Sequence, residues 1–272
     1  MSQGILTDKT MKVWGKFPRE NYNVKIYSLG ASNEGHGSAL PVNIDDYMGQ
    51  ECALRVCKQT GCDYVGHFPY SGDRAGEMAR DWNPGYMEKN EMIEHIVDDV
   101  KRDQRKYPSF SHVVIISGHG GNNFLETEPL ADSIGVPTLY IPPFPGAKAT
   151  HPIYGEIVIS HADHGEHSIA KYLGVLNEEK LREINKVAAK DPIRAIRENP
   201  PIMGLGYYVL PQLSGDKYKE LRERHQDLVD SANKFVNEDK MIIADYDVGR
   251  QLFEGFVEEA KNRVVKFSGI KI

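Results

Sequence analysis

Apolar positions along this chain come as short continuous runs, set between longer stretches in which they recur with helical spacing. Val24 to Leu29, Asp63 to Phe68, His112 to Ser117 and Pro137 to Ile141 read as strands, the third carrying Val113, Val114, Ile115 and Ile116 in succession. An unbroken apolar run suits a strand covered on both faces. Between the first two, Tyr47, Cys52, Leu54, Val56 and Cys57 form a ragged helical stripe over 46–60 that Gly61 ends. Met92, Ile96, Val97 and Val100 form a cleaner stripe over 88–107, and a helix is expected to lead from the glycines near 120 to Ser133. Further on, the pattern predicts an extended segment over 156–160, helices over 166–173 and 177–190, and extended chain over the Gly- and Tyr-rich 200–213. Two long charged helices, about 217–237 and 247–265, read as cladding. Alternating strands and helices imply right-handed parallel crossovers, hence an α/β fold with a mostly parallel sheet.

Charge and composition narrow the function classes. With 33 Lys and Arg against 39 Asp and Glu the chain is acidic, and no basic stripe offers a nucleic-acid footprint. No apolar run reaches signal-peptide or membrane-spanning length, so a soluble, cytoplasmic protein with no membrane partner is expected. Cys52, Cys57 and Cys62 are five apart, which is neither metal-binding nor disulfide spacing, and buried free thiols are expected.

The candidate chemistry sits where strands end. Glu34 and His36, two apart after the first strand, project to one side of extended chain, and Asp45 returns after a Gly- and Pro-containing loop. His119 follows the third strand, while His161, His164 and Glu166 follow the segment over 156–160. Ligand sites of open parallel sheets gather beyond the carboxyl ends of the strands. Imidazoles and carboxylates converging there suit one or two divalent ions, with Zn, Mn and Fe all compatible with such donors. Asp45 is placed to bridge two ions, leaving Glu34 with His119 and His36 with a further carboxylate as separate caps. A solvated polar loop is the plainer reading of any one cluster taken alone. The long connection over 69–86 carries Asp73, Arg74, Trp82 and Tyr86, suited to a hydroxyl-bearing small molecule or else to a surface or subunit contact. His67 is read as a pocket candidate or a structural histidine, and His164 and His167 as supports that orient Glu166. His95, His112, His151 and His225 are assigned to structure or surface.

Three motifs in order carry a resemblance. Glu34-Gly35-His36 with Leu40-Pro41 and Asp45, then Gly118 to Asn122, then His161-Ala162-Asp163-His164-Gly165-Glu166-His167-Ser168 resemble the creatininase family of metal hydrolases. The match runs over about residues 24–175, with a weaker echo near Gly249. The resemblance implies a three-layer αβα sandwich forming one domain over 1–272, assembled as a homo-oligomer, a hexamer in the family. It implies Glu34, His36, Asp45, His119 and Glu166 as metal ligands and His161, with Glu166, as the catalytic pair. Where creatininase carries a glutamate two residues after its metal-binding histidine, this chain has Gly121, which shifts the second ion onto Glu166. The family's active-site tryptophans have no counterparts near Tyr154 and His161, and Asp163 and His167 replace glycine and threonine.

The activity expected is therefore hydrolysis of a small polar cyclic substrate, a metal-activated water attacking a carbonyl. Hydroxyl-rich recognition by the 69–86 connection favours ring opening of an oxidised inositol (a cyclic polyol diketone). Cleavage of a C–N bond in a cyclic amide or formylated pyrimidine nucleotide is the alternative, and a non-catalytic metal-binding protein the more distant one.

Overall fold

The computed structural model describes residues 21–72, 76–107 and 109–272. Strands β1 (Asn21–Leu29), β2 (Cys62–Phe68), β3 (His112–Ser117) and β4 (Thr138–Ile141) form a parallel sheet in the order β2-β1-β3-β4. Register aligns Leu29 with both Phe68 and Ser117, and Ile116 with Ile141, so the carboxyl ends share one edge. Helix α1 (Ile44–Thr60) connects β1 to β2, α2 (Lys89–Lys106) connects β2 to β3, and a 3₁₀ segment (Gly120–Thr127) with α3 (Leu130–Ile134) connects β3 to β4.

Side chains alternate across the sheet as strand geometry requires. Val24, Ile26, Val114 and Ile116 pack with Met48, Cys52 and Val56 of α1 on one face. Tyr27, Leu29, Val113 and Ile115 pack with Met92, Ile96 and Val100 of α2 on the other. All of these are buried, and they make the three-layer αβα arrangement. The cysteines are free and buried.

A hairpin of β5 (Ala149–His151) and β6 (Gly155–Ile157) stands apart from this sheet, followed by α4 (His164–Leu173). The segment expected at 156–160 is thus half of a separate antiparallel pair. Helices α5 (Glu178–Ala188), α6 (Pro192–Glu198), α7 (Ile202–Val209), α8 (Pro211–Ser214), α9 (Lys219–Arg224) and α10 (Gln226–Lys234), with a π turn over Phe235–Asp239, build a second apolar cluster. Two expectations fail here. The stretch over 200–213 is helical, interrupted by a left-handed turn at Met203, Gly204 and Leu205, because its apolar residues are buried on every side. The helix expected over 217–237 breaks at His225, where the backbone leaves helical geometry. The final helix, α11 (Tyr246–Ser268), packs along α4 and α1. A Cβ at Gly249 would lie 2.0 Å from the Ser168 carbonyl oxygen, so the α4–α11 crossing needs glycine. Among the described residues no helix is long and apolar enough to cross a membrane.

Candidate metal centre

The end of β1 and the first turn of α1 meet at the sheet edge, and Gly118 makes the meeting possible. A Cβ there would lie 2.1 Å from the Asp45 carbonyl oxygen, so β3 and α1 approach closely only through a glycine. This contact carries Asp45, in the first turn of α1, alongside His119. His119 Nδ1 lies 2.8 Å from Asp45 Oδ2 and 2.9 Å from Glu34 Oε2. His36 Nε2 lies 3.5 Å from Asp45 Oδ1 and 3.8 Å from Glu166 Oε2. Asp45 therefore faces both histidines, one through each oxygen.

Glu166 reaches this point from the N-terminus of α4, not from a strand of the sheet. Asp163 caps that helix, accepting from the Gly165 and Glu166 amides at 2.8 and 3.2 Å and from the Ser160 amide at 2.8 Å. The Glu166 carboxylate turns back to accept from the Ala162 amide at 2.6 Å. Ala162 holds a left-handed φ of 46°, and the turn at Met203 and Gly204 braces it through amides donating to the carbonyls of Ala162 and His161. Asp163, a departure from the family motif, is thus a helix cap.

Ligand atoms of Glu34, Asp45 and His119, of His36, Asp45 and Glu166, and of Glu34, His36 and His161 each gather within 4.8 Å. His36 donates from Nδ1 to the Glu34 carbonyl at 3.0 Å, which turns its Nε2 lone pair toward Asp45 and Glu166. That Nε2 is buried with no hydrogen bond. Three buried carboxylates around it make an anionic cage that suits a divalent cation. Burial pushes His36 down, but Asp45, Glu166 and Glu34 outweigh it and raise its pKa to about 10. His119 is likewise raised, burial being overcome by Glu34 and Asp45. Burial raises Glu166 to about 8, with Asp45 and Asp163 adding to the effect.

His161 stacks on His36, ring centroids 4.4 Å apart, and donates from Nε2 to the Gly35 carbonyl at 2.8 Å. Its Nδ1 lies 3.7 Å from Glu34 Oε1. Burial and the neighbouring His36 hold its pKa well below the usual histidine range. A cleft of about 360 Å³ opens over these groups, with Glu34, Asp45, His119, His161 and Glu166 in its walls. Gly120, Gly121, Asn123, Phe144, Lys148, Ser160, Leu205, His225 and Asp227 line it too. Lys148, Asn123 and Asp227 had no motif to mark them, and His225 had been assigned to structure or surface. Asn123 directly follows the Gly118 to Asn122 motif, while Lys148, His225 and Asp227 come from later parts of the chain.

The substrate-binding expectations fare differently. Asp73 and Arg74 lie outside the described residues. Trp82, Tyr86 and His67 are absent from the cleft walls. Trp82 is 4% exposed and packs against Tyr208 and Tyr218, because a large aromatic ring gains more from the second apolar cluster than from a polar wall. Tyr86 bonds Glu88. His67 joins Asp46 at 2.9 Å and Ser28 at 2.8 Å in a chain that continues to Tyr64. His164 bonds Asp239 at 3.0 Å and accepts from the Ile243 amide, tying α4 to the π turn.

No family model matches the chain. It is 24% identical over 239 residues to the 2-amino-5-formylamino-6-ribosylaminopyrimidin-4(3H)-one 5'-monophosphate deformylase of Methanosphaera stadtmanae, covering 83% of this chain and 93% of that protein. The enzyme of the same name from Methanocaldococcus infernus is 22% identical over 266 residues, covering 93% and 96%. A solved creatinine amidohydrolase (creatininase) superposes with a TM-score of 0.55 at 17% identity, covering 89% of each chain. A manganese form of creatininase gives 0.56 at 15% identity over 97% of this chain and 96% of that one. The chain has a creatininase-like α/β fold, and in fold and in the order of its three motifs it resembles the creatininase family.

Proposed function

We propose that this protein is a metal-dependent hydrolase that cleaves a C–N bond in a small formamide or cyclic amide, formylated pyrimidine nucleotides being the leading class. The observation that carries the reading is the pair of three-residue groups sharing Asp45 beneath a cleft that His161 walls. Glu34, Asp45 and His119 would hold one ion, and His36, Asp45 and Glu166 a second. Divalent ions bound there supply Lewis acidity and a lowered pKa for water. Zn and Mn both suit the donors, and solved creatininases of this fold include a manganese form and one described as Zn-Zn type.

The chain's own residues do the rest. His161, kept neutral by burial and fixed through Nε2 by Gly35, presents Nδ1 to take a proton from the attacking water and return it to the departing nitrogen. Glu166 is held in place by Ala162 and the Asp163 cap. Gly120 and Gly121 carry no side chains, which leaves their stretch of wall open to a flat, substituted ring. Deformylases among the relatives support a C–N substrate. The oxidised-inositol expectation rested on the 69–86 connection and on the missing tryptophans, and Trp82 and Tyr86 of that connection do not line the cleft, which weakens it.

The test is a turnover panel on zinc- or manganese-loaded protein. Formate release from a formylaminopyrimidine nucleotide, lost in His161→Ala, is the expected result. Turnover of an oxidised inositol with no turnover of any amide would overturn the reading.

A further inference from the structure

We infer that Ser71 and Asn83 are positioning residues that hold the His119 ring for metal binding. The inference rests on the metal-hydrolase reading and adds to it two residues that no motif marks. His119 turns Nδ1 toward Glu34 and Asp45, and its other ring nitrogen, Nε2, lies 3.2 Å from Ser71 Oγ. Asn83 donates from Nδ2 to the same Ser71 oxygen at 2.8 Å. A serine oxygen has two lone pairs. With Asn83 on one, the other is available to the Nε2–H of His119. A neutral imidazole has a single N–H, and placing it on Nε2 leaves the Nδ1 lone pair for a cation.

The clamp is itself held rigidly. Ser71 and Asn83 are 1% and 0% exposed. Asn83 Oδ1 accepts from the Gly85 amide at 3.1 Å, and the Asn83 amide donates to the Ala79 carbonyl at 2.8 Å. The Ser71 carbonyl accepts from the Met87 amide at 2.8 Å. Next to it, the Gly72 amide donates to Asn122 Oδ1 at 2.9 Å, while Asn122 Nδ2 donates to the Gly30 and Tyr70 carbonyls. The connection after β2 also reaches the other ligand segment, because the Gly35 amide donates to the Trp82 carbonyl at 2.9 Å. A connection read from sequence as substrate-facing or as a surface or subunit contact thus supports the proposed ligands from behind.

Selectivity separates this role from general stabilisation. His119 belongs to the group with Glu34 and Asp45 and not to the group with His36, Asp45 and Glu166. The clamp should therefore act on one ion of two. The experiment is calorimetric titration of the metal-stripped full-length protein with zinc alone, for wild type, Ser71→Ala, Asn83→Ala and Ser71→Thr. Asn83→Leu, close in volume, takes the place of Asn83→Ala should that variant not fold. Wild type is expected to take up two equivalents. Ser71→Ala and the Asn83 variant should weaken one of them by roughly 10–100-fold and leave the other unchanged, and Ser71→Thr should restore it. Circular dichroism of the unloaded variants should match wild type. Two equivalents bound as in wild type, or both weakened together, would overturn the clamp alone. Wild type that takes up no zinc would overturn the hydrolase reading as well.

Discussion

Asp45 carries more of the site than any other single side chain. Buried at 1% exposure in the first turn of α1, it faces His119 through one oxygen and His36 through the other. Asp45→Asn should lower kcat/KM by about a thousandfold, about 4 kcal/mol of transition-state stabilisation, as a steady-state assay on metal-loaded protein would measure. Raised His36 and His119 mean that cation uptake must displace protons, so affinity should rise with pH and proton release should accompany binding in buffers of differing ionisation enthalpy. His167 shows the opposite behaviour. Burial lowers its pKa to about 3, while its Nδ1 bonds the Asp163 carbonyl at 2.8 Å. The unfolded chain then binds a proton between the ordinary value of 6.5 and about 3 that the folded chain refuses. Stability from this residue is complete above pH 6.5 and drains as pH falls through that window, at up to about 1.4 kcal/mol per pH unit. Denaturant titrations of wild type and His167→Gln across the window should show a shallower acid loss in the variant.

Legibility at this scale follows from local chemistry. Glu34, His36, Asp45, His119, His161 and Glu166 lie in motifs with fixed short spacing, and the structure brings all six together. Trp82 and Tyr86 are read by chemical type within a connection whose path depends on distant packing, and His67 by type at the end of β2, and none of the three lines the cleft. Ser71 and Asn83 carry no local signal, since serine and asparagine in a loop are ordinary.

Elements position the site by close approach and by capping. Gly118→Ala forces a methyl into the Asp45 carbonyl and should cost about 1–3 kcal/mol in denaturant unfolding, with metal uptake impaired alongside. Asp163→Ala removes the α4 cap and should cost about 0.5–2 kcal/mol. Because that cap fixes the turn presenting Glu166, the same variant should bind its second zinc more weakly. β3 was readable because a strand buried on both faces favours an unbroken apolar run, and the helix α2 because its apolar stripe keeps helical spacing. The chain over 200–239 was not, since glycines at 204 and 206 and the break at His225 suppress the helical signal that burial then restores.

Across the whole molecule, the sandwich brings four of the proposed ligands to its sheet edge, while segments flanking the hairpin and the helical cluster after α4 supply the cover. Leu205, His225 and Asp227, from the chain after α4, line the cleft, so the helices expected as mere cladding help to shape it. The central claim is that Asp45 unites two ligand groups into one centre. Metal analysis of protein equilibrated with zinc, comparing wild type, Glu166→Gln and Asp45→Asn, tests it most directly. Two zinc ions per chain are expected in wild type, one in Glu166→Gln and none in Asp45→Asn. Zinc retained by Asp45→Asn at the wild-type level would contradict it.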